Sequence, residues 1–117
     1  MRSRLKLVLL ALAVAACATQ RSQQANVARV RIALASEDVH RRDWAAALQT
    51  LDPLPEGRQE RAAALALRGV IFRETGRLED AQADLEQAVR LRSDLAEAHA
   101  ALGVVYELRR DHARAVK

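Results

Sequence analysis

At 117 residues the chain is one small domain at most, its apolar content carried by alanine and leucine with three aromatic residues, Trp44, Phe72 and Tyr106. Such a composition favours helices over sheets, because alanine and straight-chain residues lose little rotamer freedom in a helix. The formal charge of +4 owes most to Arg2, Arg4 and Lys6, with no acid before Glu37, so the clustered basic face required for nucleic-acid binding is absent.

The first element is an export signal. A basic start is followed by an uncharged apolar run from Leu7 to Ala16, shorter than the roughly 20 residues a membrane-spanning helix needs. Val14-Ala15-Ala16-Cys17 closes the run with small residues directly before the only cysteine. This resembles the lipobox of bacterial lipoproteins. The resemblance implies that residues 1–16 are removed, and that Cys17 becomes the first residue of the mature protein and carries the diacylglycerol. An ordinary cleaved signal with an incidental thiol is the plainer alternative. Ala18, where an Asp commonly retains a lipoprotein at the inner membrane, resembles the outer-membrane pattern, so the expected location is the outer membrane facing the periplasm. Residues 17–26 read as the lipidated cysteine and a flexible tether, since they offer almost nothing to bury. A lone cysteine forms no internal disulfide, so stability must come from packing.

The domain is expected over residues 27–117, and it is repetitive. Residues 62–95 and 96–117 align at a period of 34, placing Gly69 on Gly103, Val70 on Val104, Phe72 on Tyr106 and Ala81 on Ala115. A weaker copy over 28–55 supplies Leu34-Ala35 and Asp43-Trp44-Ala45-Ala46-Ala47. Three pairs of small residues recur: Ala35 with Ala47, Gly69 with Ala81, and Gly103 with Ala115. Phe72 and Tyr106 hold a position that wants a large aromatic; Asp38 does not, and Val39 beside it takes its place.

These residues resemble the tetratricopeptide repeat, in which two antiparallel helices, A and B, meet at the small pair. The resemblance implies an all-α fold of helix-turn-helix hairpins stacked in a short right-handed superhelix of about two and a half repeats. Leu78, Ala81, Leu85, Ala88 and Leu91 fall at helical spacing on the second helix of the middle repeat. Thr75-Gly76-Arg77 forms the turn before it, and Asp94 with Glu97 is expected to cap the helix after it. Arg68 stands where a large apolar residue is usual, so Leu65 and Leu67 are expected to cover the gap. Asp52-Pro53-Leu54-Pro55 interrupts the first copy. The third copy, 96–117, is incomplete, stopping a few residues into its second helix, which suggests a truncated product or a longer natural chain.

No catalytic or cofactor chemistry is visible. The glycines at 57, 69, 76 and 103 are isolated, so there is no phosphate loop. His40, His99 and His112 share no helix face, and no second cysteine exists to complete a metal site. His99 reads as a packing or surface residue, and Glu79, Asp80, Asp84 and Glu86 as a solvated face, with Arg77 balancing the acids locally.

The resemblance further implies that partners lie along the first helices of the hairpins. The matching positions are Ala63, Ala66, Val70, Arg73 and Glu74 in the middle repeat, and Glu97, Ala100, Val104, Glu107 and Leu108 in the last. Small residues at the centre leave room for an incoming helix or extended peptide. Repeat proteins that clamp a chaperone's C-terminal carboxylate present Lys and Asn at the fifth and ninth positions. Here those hold Ala66 and Val70, then Ala100 and Val104, so no clamp is built. The expected function is a membrane-anchored scaffold or adaptor of the bacterial cell envelope that binds a protein or peptide, such as an envelope assembly or secretion component. It resembles pilotins and adaptors for cell-wall enzymes, without cofactor or enzymatic activity. Two alternatives stand beside it: the N-terminal fragment of a larger exported protein or enzyme, and a homo-oligomeric structural protein.

Overall fold

The computed structural model describes residues 1–116, which form five helices: α1 (Arg2–His40), α2 (Trp44–Leu51), α3 (Arg58–Glu74), α4 (Leu78–Leu91) and α5 (Ala96–Val116). The fold is all-α, with no strand among the described residues. The helices form α1/α2 and α3/α4 hairpins; α3 packs against the first helix on either side of it, α1 and α5.

The small residue pairs explain where the hairpins close. Ala35 on α1 and Ala47 on α2 are both fully buried in one cluster, with Leu51, Ala64 and Ile71. A methyl group added to Gly69 would lie 2.6 Å from the Leu85 Cγ and 3.4 Å from the Ala81 carbonyl, so α3 and α4 touch at a glycine. Phe72, Leu85, Ala88, Ala98, Leu102 and Val105 form the second cluster, between α3, α4 and α5. Phe72 thus fills the space between repeats as expected, with the Arg77 guanidinium 4.3 Å from its ring centroid. Val39 packs on the first cluster beside Trp44.

The turns use two residues at positive φ, Gly76 at 81° and Arg42 at 59°. Glycine enters this region without a steric penalty, whereas an arginine must be held there by its neighbours. Backbone bonds at the end of α1 supply that restraint, the Arg42 N–H donating to the Val39 carbonyl at 3.0 Å and the Asp43 N–H to the Asp38 carbonyl at 2.9 Å, while the Asp43 carboxylate accepts the Ala46 N–H at 3.2 Å and caps α2.

Four sequence expectations need correction. Residues 18–26 do not form a flexible tether; they continue α1 without interruption. No glycine or proline occurs before Pro53, and Ala, Gln and Arg propagate a helix that packing of residues 28–40 has already nucleated. Projection of this helix stretches the molecule to 78 × 27 × 20 Å and raises its radius of gyration to 19.3 Å; about 13 Å is usual for a compact domain of this size. Asp84 is not on a solvated face: it is buried and paired with Arg68, so that arginine leaves no gap to be covered. Asp94 accepts from Arg92 rather than capping α5, whose first turn bonds to the Leu95 carbonyl.

The fourth correction concerns the last repeat. α5 runs straight through the expected turn, so Ala115 does not reach Gly103; twelve residues along one helix separate them by about 18 Å. Gly103 has open space where its Cβ would be. Tyr106 is 44% exposed and sits at an edge instead of filling a core. Lys117 lies outside the described residues.

Candidate interaction groove

The first helices of the hairpins, α1 and α3, together with α5, line one face, and an apolar groove runs along it. Ala63, Ala66, Leu67 and Val70 of α3 form its floor, Ile32 and Ser36 of α1 one wall, and Leu95 and Glu97 the other. These side chains point together because α3 packs against both flanking helices while α2 and α4 occupy the opposite layer. Free space is about 190 Å³, below the roughly 300–1,000 Å³ typical of small-molecule sites, so the shape suits side chains from a docked segment better than an enclosed ligand.

The structure brings together four of the ten expected partner-facing residues: Ala63, Ala66, Val70 and Glu97. Arg73 and Glu74 stand at the end of α3, where an ion pair of 2.8 Å holds them to each other. Ala100, Val104, Glu107 and Leu108 lie on exposed surface of α5 beyond the groove proper, Val104 being 45% and Leu108 40% exposed. Ile32, Ser36, Leu67 and Leu95 were missed. Ile32 and Ser36 stand one repeat length before Ala66 and Val70, so extending the same register to the irregular first copy would have found those two.

Beside the groove, α4 and α5 are joined by a polar network. The Tyr106 hydroxyl donates to Glu86 Oε1 at 2.8 Å, Gln82 Nε2 donates to the same oxygen at 2.8 Å, and Arg109 donates to Gln82 Oε1. The bond from Tyr106, seconded by that from Gln82, holds the Glu86 carboxyl below its ordinary pKa, and the same contact raises that of the Tyr106 phenol. His99 is exposed and bonds the Ser93 carbonyl. Cys17 is exposed on the projecting part of α1. A second, wider cleft separates that projection from the Pro53–Glu60 stretch, but Arg21, Arg31, Glu56 and Glu60 line it with mixed charge rather than a convergent apolar surface.

Comparison of the chain with curated proteins and with solved structures gave no match. A family model described as TPR repeat matches residues 69–108, from the α3 glycine contact through all of α4 to Leu108 of α5, and over that stretch the chain is similar to this family and shares its helical-hairpin fold.

Proposed function

We propose that the protein is a lipid-anchored interaction scaffold of the bacterial cell envelope, held through Cys17 at the outer membrane facing the periplasm, and that it binds a protein or peptide in the α1–α3–α5 groove. The observation that carries the binding half is the groove itself: small and apolar residues from successive first helices, with the charged Glu97 at its wall. TPR repeats generally bind protein partners and are not catalytic, which agrees with a face of this shape. An apolar segment of a partner is the chemistry that fits.

The anchoring half rests on Val14-Ala15-Ala16-Cys17 and on the exposure of the residues before it. The uncharged run Leu7–Ala16 is short, but with its flanks α1 holds a window apolar enough by length and composition to cross a membrane, as signal sequences near an N-terminus also do, and none of that window is buried. An uncovered run of that kind suits a segment that enters the membrane during export. After cleavage the helix from Cys17 would stand the domain off the bilayer by about 15 Å over the residues before Ala28.

Labelling with a clickable fatty acid in a diderm host, comparing wild type with Cys17→Ser, tests the anchor. Label that depends on Cys17 and follows outer-membrane fractions is the expected result. A wild-type protein released unlabelled would sink that half. A photo-crosslinking residue at Ala63 tests the other: one discrete adduct is expected there and none from Ala83, which is exposed on α4 outside the groove.

A further inference from the structure

Glu97 is the one ionic side chain among the residues that line the groove, and among the described residues no ion pair or side-chain hydrogen bond engages its carboxylate. The arginines on either side of it are held elsewhere. Arg92, in the turn before α5, is bound to Asp94 at 3.3 Å, and Arg73, three residues past Val70 on α3, is bound to Glu74 at 2.8 Å. An acid in the first turn of α5 suits the helix dipole, which accounts for a carboxylate near this end of the helix. The dipole would be served as well at Ala96, which does not line the groove, whereas the charge at 97 stands on its wall.

The rest of the lining is neutral. Ser36 is its only other polar side chain, and Ala63, Ala66, Leu67 and Val70 make an apolar floor. A space of about 190 Å³ takes one leucine- or phenylalanine-sized side chain, since a cavity of about 150 Å³ already holds benzene. From Ala63 to Val70 the floor is about 10 Å long, two turns of helix. The contact is therefore short: one apolar anchor and its immediate neighbours. A segment that covers this floor draws the Glu97 carboxylate partly out of water. A wholly apolar segment would leave that charge without a partner, and an acidic one would set a like charge against it. A cation beside the anchor removes both penalties.

We propose that the groove selects a basic segment of a partner protein, with one large apolar side chain seated between Ala63 and Val70 and a Lys or Arg beside it that pairs with Glu97. This rests on the α1–α3–α5 groove being the binding face, and it adds the sign of the charge which that face recognises. Glu97 is exposed, so the pair serves choice between partners more than affinity.

Selection of displayed random peptides on the immobilised full chain tests the sign. Ala63→Trp fills the floor without adding charge, and a photo-reactive residue at Ser36 locates bound peptides without filling it. Peptides lost on Ala63→Trp and captured from Ser36 should carry Lys or Arg beside a large apolar residue. In fluorescence anisotropy, changing that cation to Glu in a recovered peptide should weaken binding to the wild type by about fivefold or more. On Glu97→Lys the order of the two peptides should invert, and on Glu97→Gln the difference should shrink to about twofold or less. Groove-dependent peptides with no preferred charge, or with the same preference on Glu97→Lys, would overturn the proposal and leave the groove as the binding face. Recovery that neither depends on Ala63 nor gives adducts at Ser36 would overturn both.

Discussion

Arg68 of α3 and Asp84 of α4 meet through two parallel hydrogen bonds, Nε to Oδ2 at 2.6 Å and Nη2 to Oδ1 at 2.9 Å. The Asp84 side chain is 10% exposed and that of Arg68 30%, so the pair is largely but not wholly withdrawn from water. The bonds to Asp84 raise the Arg68 pKa against the opposing effect of burial. Loss of one partner leaves the other charge poorly solvated, and that penalty exceeds what the pair contributes over an apolar replacement. Asp84→Ala should therefore destabilise the fold by about 2 kcal/mol, discounted from the fully buried case because Arg68 can reach solvent. The double variant Arg68→Leu, Asp84→Leu should lie within about 1 kcal/mol of wild type. Urea unfolding of Arg68→Leu, Asp84→Leu and the double variant gives the coupling directly.

Gly69 and Gly103 stand one repeat apart and should respond oppositely to the same substitution. Gly69→Ala drives a methyl group to 2.6 Å from the Cγ of the fully buried Leu85, an overpacking that should cost about 1–3 kcal/mol despite the gain in helix propensity. Gly103→Ala meets open space and should stabilise α5 by up to about 1 kcal/mol. Thermal melts followed by circular dichroism separate the two signs.

The middle repeat was legible because its signals agree: size-matched Gly69 and Ala81, an aromatic at Phe72, an apolar stripe on α4 and Gly76 at the turn all indicate one hairpin. Legibility failed where a residue type has two physical solutions. Arg68 reads as a misfit until Asp84, sixteen residues on, is seen to receive it, and nothing in the sequence marks that acid apart from its solvated neighbours. Residues 18–26 read as a tether because they bury nothing, yet without glycine or proline a helix already formed downstream simply continues through them. The repeat register expects a turn at Arg109–Asp111, and α5 ignores it because the described residues after Asp111 bury nothing that would offset a left-handed arginine. In the groove, four residues were found from the regular repeats, while Ile32 and Ser36 were hidden by the irregularity of the first copy.

Ala63, in the floor of the open groove, is half-buried, so charge and bulk can be added there without breaking the core. Ala63→Glu should weaken partner capture by tenfold or more, since an unpaired carboxylate would face an apolar docked segment; about 1.4 kcal/mol corresponds to each tenfold step. The fold should change by no more than about 0.5 kcal/mol, as is usual for substitutions open to solvent. Crosslinking yield from a photo-reactive residue at Val70, measured alongside a melt, distinguishes lost binding from lost structure.

The Tyr106–Glu86 bond makes a pH-dependent link between α5 and α4. Glu86 has its carboxyl pKa lowered from 4.5, chiefly by the Tyr106 hydroxyl and then by Gln82, so its contribution to stability is present above the ordinary carboxylate range and disappears as pH falls through the depressed value. The phenol pKa is raised from 10.0 by the same contact, so its contribution is full below that value and is lost as pH climbs through the raised one. Tyr106→Phe should move the Glu86 titration midpoint upward, toward the unperturbed value. Its stability difference from wild type should be greatest across the neutral range and should shrink at both the acid and the alkaline ends. Carboxyl chemical shifts followed against pH test the first statement, and urea midpoints at acid, neutral and alkaline pH test the second. Because Gln82 also bonds Glu86, the midpoint should return only part of the way; Tyr106→Phe with Gln82→Ala should return it further, against the remaining pull of the Arg90 and Arg109 charges. A midpoint unmoved by Tyr106→Phe would mean that the hydroxyl does not reach Glu86 in solution.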